Sequence, residues 1–199
     1  MKLVDRISLA ICALLLVSLF CGSCNREKKR VVSDVPIKTE IMGMKLGEVI
    51  DKDSIVPVVS AAAQQSFSSV ITAKDAYYKV RCFSDDVVLH YGGFSWHDVE
   101  VSLHSNNKVA MILFSFSFES RDHAKKRFDK LKQSLTNKYG QGNERGDGDA
   151  MFWTDDTNSV GVRYEEGTSV YGEVRFFCKL YYANIALVED IKAHLETDI

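Results

Sequence analysis

Five histidines carry most of the chemistry this 199-residue chain offers: His90, His97, His104, His123 and His194. His97 and Asp98 form the most catalytic-looking pair, beside Trp96 and shortly after Gly92-Gly93. A histidine acting as general base needs a carboxylate to orient its ring. Adjacent residues of a strand point to opposite faces, so Asp98 is poorly placed to do this for His97. No serine stands in a Gly-x-Ser-x-Gly turn, and no glycine-rich loop ends in Gly-Lys-Ser/Thr. His90 and His104 can face each other across strands and hold a metal, but the spacing identifies no third ligand. Asp147-Gly148-Asp149 has a calcium flavour. An EF-hand loop would then need an oxygen ligand, a glycine and a glutamate where Met151, Phe152 and Asn158 stand. Arg145-Gly146-Asp147 spells an integrin-type tripeptide, which a polar loop produces by chance. The expectation is therefore no catalytic residue, no metal and no cofactor.

The cysteines are more informative. Cys21 and Cys24 have the spacing of a redox or metal pair, but they sit where an apolar run meets a block of charge. Lys2 and Arg6 flank the start of the apolar run Ile7 to Phe20. Fourteen residues are too few to span a bilayer, which takes about 20, and they suit the core of a secretory signal. The next residues resemble a bacterial lipoprotein signal. Gly22 and Ser23 match the small residues that precede the lipidated cysteine, while Cys21 stands where leucine is usual. This resemblance implies a signal peptide over 1–23, a lipid on Cys24, and stable membrane anchoring through several acyl chains. Ordinary cleavage before Cys24, leaving a free protein, is the alternative. After processing, Cys82 and Cys178 remain. A disulfide between them would close a loop of 97 residues and contribute about 4–5 kcal/mol; two separate buried thiols are the other reading.

The chain is 46% apolar and 26% charged, with net charge −2, 11 Phe, 8 Tyr and only 2 Pro. Many aromatics and little proline argue for a folded, sheet-rich domain. So weak a net charge provides no field for nucleic acid, which is excluded as a partner.

The polar stretch 24–40, with Arg26, Lys28, Lys29 and Arg30, reads as a lipidated cysteine and tether, and 41–199 as one domain. Asp53 or Ser54 is a candidate N-cap for a short helix through Ala61 to Gln65. Strand patterns follow in AYYKVRCF, VVLHY, SWHDVEVSLH and KVAMILFSFSF. The last is apolar on both faces, which makes it central and requires helical cover. Ala124, Phe128, Leu131, Leu135 and Tyr139 then recur at helical spacing between Ser120 and Gly140. Three more strands (AMFWTDD, SVGVRYEE, GEVRFFCKLYYA) and a helix over Ile185 to Leu195 complete the chain. The expected fold is α+β: an antiparallel sheet with helices packed on one face, in the order helix–strands–helix–strands–helix. The shared flavour of YYKVRCF and EVRFFCKLYY raises two similar halves, 41–119 and 120–199.

The segment GGFSWHDVEVSLHSNNKVAMILFSFSFESRDHAKKRFDKLKQSLTNKYG, with FW and LYYAN beyond it, resembles a family of small bacterial envelope lipoproteins over about 41–195. The layout is loosely similar to BamE-like and β-lactamase-inhibitor-like modules, and MGMKLGEV resembles the opening of the former. These motifs are structural and imply no reaction. Together they imply a non-catalytic protein held in the outer membrane by its lipid, facing the periplasm or the cell surface, that binds an envelope protein or a ligand. Phe94, Trp96, His97 and Trp153, with Tyr164 and Tyr171, are the candidate binding surface if their rings are exposed rather than in the core. An envelope hydrolase using His97 and Asp98, and an inhibitor or immunity protein, are the alternatives.

Overall fold

The structure is a computed structural model that describes residues 30–74, 76–84, 89–146, 148–168 and 172–197. Residues 1–23, expected to be a signal peptide, Cys24, the basic residues Arg26, Lys28 and Lys29, Tyr171, and Asp147 with its calcium and tripeptide readings lie outside the described residues.

The chain begins with a small hairpin, β1 (Glu40–Ile41) and β2 (Met44–Lys45), followed by helix α1 (Ile55–Ala63). Asp51 accepts a hydrogen bond from the Asp53 backbone in the 3-10 turn leading into α1. Of the two residues expected, Ser54 stands at the N-cap position of α1 but makes no side-chain cap bond, and the side-chain cap comes from Asp51 at the start of the 3-10 turn. Strands β3 (Ser68–Lys74), β4 (Tyr77–Phe83), β5 (Leu89–Tyr91), β6 (Phe94–Trp96), β7 (Asp98–His104) and β8 (Val109–Phe118) come next. After α2 (Arg121–Tyr139) follow β9 (Asn143–Arg145), β10 (Ala150–Thr154), β11 (Asn158–Thr168) and β12 (Val174–Asn184), and then α3 (Ile185–Thr197).

Eight strands form one antiparallel sheet in the order β3-β4-β7-β8-β12-β11-β10-β9, so the fold is α+β. The first and second sets of four strands meet where β8 pairs with β12. Both lie at the centre, which is where their apolar runs require them to be.

The helices do not share one face, contrary to expectation. On the first face Val80, Val99, Val101, Ile112, Phe114, Val160, Val162 and Leu180 pack under α1, α2 and the β5–β6 hairpin. On the second, Met111, Tyr181 and Ala183 pack with Val188 and Ile191 of α3. The physical reason lies in β8 and β12 themselves. Met111, Leu113, Tyr181 and Ala183 point away from the first face, and a strand apolar on both sides needs cover on both. Chain connection favours the same result, because α3 begins at the residue after β12 and the Asn184 side chain caps it by accepting from Leu187 N at 3.2 Å.

Residues from Arg30 onward are not a free tether. Ser33 N donates to the Thr154 carbonyl at 2.7 Å, and Ile37 is buried in the main core. Cys82 and Cys178 also part company. Cys82 stands opposite Val99, Val99 opposite Phe114, and Phe114 opposite Leu180, two residues along β12 from Cys178. Three strand spacings amount to about 14 Å, twice the reach of a disulfide. Both are free, buried thiols, so the bridge does not form. Burial pushes the Cys82 thiol up to about 11 and the Cys178 thiol up to about 12.

Candidate functional site

A two-residue turn starts the site. Gly92 and Gly93 take φ of 64° and 79°, the paired left-handed geometry that closes a tight hairpin with the right twist. This turn folds β5 and β6 together outside the main sheet and lays them on its first face. Tyr91 stacks on Phe114 with ring centroids 4.6 Å apart and planes 3° apart. The Trp96 indole N–H donates to the Tyr91 carbonyl at 3.1 Å.

Into the open side of this hairpin comes Arg127, in the second turn of the amphipathic α2. Its guanidinium carbon lies 4.5 Å from the Trp96 ring centre, 4.7 Å from Phe116, 5.3 Å from Phe94 and 5.9 Å from Phe118. Nη2 donates to the Ser95 carbonyl, while Nε is buried without a hydrogen-bond acceptor among the described residues. Four aromatic faces around one cation form a cation–π box, in which each ring contributes about 0.5–2 kcal/mol. Burial lowers the guanidinium pKa, but an arginine keeps its charge at any working pH.

His97 joins the same cluster. Its ring stacks on Phe116 with centroids 3.8 Å apart, and its Nδ1 is 3.4 Å from Ser117 Oγ. Burial lowers its pKa; nearby Asp98 opposes this and Arg127 adds to it. Asp98 itself leaves for the other face, where it accepts from Arg81 at 2.8 Å. The two members of the suspected catalytic pair are thus committed to different partners on different faces. His90 and His104 are also separated. His104 Nε2 meets Asp190 Oδ2 of α3 at 2.6 Å, and His90 lies across from Ser95 in the small hairpin. Among the described residues no three His, Cys, Asp or Glu side chains converge to hold a metal ion.

Of the expected binding surface, Phe94 and His97 are half-buried and lie together. Trp96 and Trp153 are not surface groups. Both are completely buried, and the Trp153 N–H donates to the Gly140 carbonyl at 2.8 Å, beside the end of α2. They fill the space between helix and sheet, where a large ring buries most area. Tyr164 is buried as well, stacked 6.5 Å from Phe176.

The missing members of the patch are Phe116, Phe118 and Phe176, all half-buried, with Arg121 5.8 Å above Phe176. Their sequence signal is the alternation Phe114-Ser115-Phe116-Ser117-Phe118, which places three phenylalanines on one face of β8. Only Phe114 of the three lies fully under the cover of the hairpin and α2. Phe116 and Phe118 extend past it, with ring centres 4.8 Å apart, and form a half-open aromatic shelf with a guanidinium at its centre. Arginine and aromatic side chains are the types most enriched at protein interfaces.

Comparison with protein-family models, with curated proteins and with solved structures finds no match to this chain.

Proposed function

We propose that this chain is a lipid-anchored, non-catalytic protein of the bacterial envelope that binds a partner protein through the shelf of Phe94, His97, Phe116, Phe118 and Phe176 around Arg127. The observation that carries the binding reading is that Phe94, Phe116 and Phe118 converge on one half-buried guanidinium yet stay half-exposed themselves, with His97 stacked on Phe116. A cluster that served packing alone would bury them, as the same strand does with Phe114. The anchoring part rests on the resemblance of residues 1–24 to a lipoprotein signal. An inhibitor or immunity protein is the special case in which the partner is an enzyme. The hydrolase alternative loses its basis, because His97 and Asp98 point to opposite faces. Two similar halves, 41–119 and 120–199, also belong to this reading. They are supported by the way each places four strands of the sheet after a helix and pairs its last strand with the other's.

Two measurements test the proposal. Phe116→Ala combined with Phe118→Ala should leave the far-ultraviolet circular dichroism intact and abolish a crosslink that the unsubstituted chain forms in native envelopes. An unchanged crosslink would remove the shelf from the interface. Cys24→Ala should move the protein from the membrane to the soluble fraction and end its labelling with an acyl probe; retained labelling would sink the anchor.

A further inference from the structure

The two edges of the large sheet are treated very differently. At one end β9 is only three residues long, and the Asn143 amide clamps Val31 by accepting from its N–H and donating to its carbonyl, both at 2.8 Å. Short length and side-chain cover are the usual means of closing an edge. At the other end β3 runs for seven residues and, among the described residues, pairs with β4 alone. Alternate residues of its outer side leave three or four N–H and C=O groups without a strand partner. Val70 and Ile71 are 53% and 46% exposed.

The sequence around this edge is unusual in a second way. From Ser54 to Ala73 twenty consecutive residues carry no charge, in a chain of which 26% are charged. They form α1 and nearly all of β3, and α1 packs on the face to which Ile71 points. Pro57, Ala61 and Ala62 of that helix are exposed. Ordinary edges are protected by lysine or another charge, and here the only one is Lys74, the last residue of the strand. Depletion of charge marks the centre of protein interfaces.

We propose that β3 pairs with β3 of a second copy, antiparallel across a two-fold axis at Ile71, so that two eight-stranded sheets become one. A two-fold interface requires a patch that complements itself, and β3 does. Full overlap of the seven residues sets Ile71 opposite Ile71, Val70 opposite Thr72, Ser69 opposite Ala73 and Ser68 opposite Lys74. The lysines fall at the two far ends, so like charges never meet. Val70 and Thr72 form β-branched pairs on one face and the two Ile71 side chains meet on the other. A surface without charge offers nothing to specify a different, charged partner, and burying it against one would desolvate that partner's charges without return. This interface lies on a different strand from the aromatic shelf and is independent of it.

Cysteine crosslinking of the full chain in detergent solution tests this pairing. Directly opposed antiparallel residues have Cα atoms about 4.5–5.5 Å apart, within disulfide reach. Ile71→Cys should give a covalent dimer on oxidation with diamide, above the background of the unsubstituted chain. Val174→Cys, equally exposed on another strand, should not. Light scattering should report two copies for the unsubstituted chain and one for Ile71→Lys, which puts two charges on the axis at a side chain that is 46% exposed in the single copy. A single-copy mass for the unsubstituted chain, equal crosslinking at positions 71 and 174, or a two-copy mass for Ile71→Lys would each overturn the proposal.

Discussion

The two faces of the sheet are made from alternate residues of the same strands, yet they are stabilised by different means. On the first face β4, β7 and β8 present Val80, Cys82, Val99, Val101, Ile112 and Phe114, buried beneath two helices and a hairpin. One position along, the same strands present Lys79, Arg81, Asp98, Glu100 and Ser115. Lys79 pairs with Glu100 at 3.1 Å and Arg81 with Asp98 at 2.8 Å, while on the neighbouring strands Lys179 pairs with Glu165. Lys79 and Glu100 are only 8% and 14% exposed, although α3 covers just one part of this face. Their long side chains shield one another. The first face contributes most of the stability, since each wholly buried large apolar side chain is worth about 1.5–3 kcal/mol. The ionic face contributes less, because charges drawn out of water recover in pairing little more than they lose. What it does provide is register: a slip of one residue would turn every one of these charges into the apolar core.

The sharpest break of this contrast is Phe114→Ala. It removes a fully buried ring that stacks on Tyr91 and touches Trp96, and the cavity should cost about 3–5 kcal/mol in denaturant unfolding. Next comes Glu100→Ala, which deprives a nearly buried Lys79 of its carboxylate and should cost about 2 kcal/mol. The double variant Lys79→Met with Glu100→Leu should recover most of that loss. A double variant as unstable as the single one would show the pair itself to be a large net contributor. The smallest effect concerns the rim. His97 has its pKa lowered from 6.5, first by burial. The unfolded chain therefore binds the proton more readily, and stability should fall as pH drops below about 6.5, levelling off once the folded state also protonates. His97→Phe keeps a ring against Phe116 and should remove that portion of the pH dependence. An identical pH profile for the variant would assign the acid sensitivity elsewhere.

Much of the strand pattern was readable because it rests on local periodicity. The strand pattern of β7 and the five buried residues of α2 both follow from rules spanning a few residues. Strand β3 was not legible as a strand. Ser68-Ser69-Val70-Ile71 continues an uncharged run begun by α1, and nothing local marks the break except Gln64, which ends α1 with a positive φ of 56°. The site was half legible. Phe94 and His97 announced themselves beside a Gly-Gly turn, whereas Arg127 looked like one more cation on a lysine-rich helix. Only the docking of α2 against the β5–β6 hairpin brings that cation over four rings.

Gly161 shows the same divide at a single residue. In sequence it is a glycine interrupting a strand; in the fold Tyr181 lies across it so closely that a Cβ would fall 2.2 Å from the phenol oxygen. The amino-acid sequence alone determines the strands that alternate, the helix with one apolar stripe and the resemblance of residues 1–24 to a lipid-attachment signal, since each depends on neighbours in the chain. The side of the sheet that α3 covers, the distance between Cys82 and Cys178, the separation of His97 from Asp98, and the exposure of Phe116 but not Phe114 were decided by tertiary structure. Each depends on which strands become neighbours, and strand order is set by contacts between residues far apart in sequence.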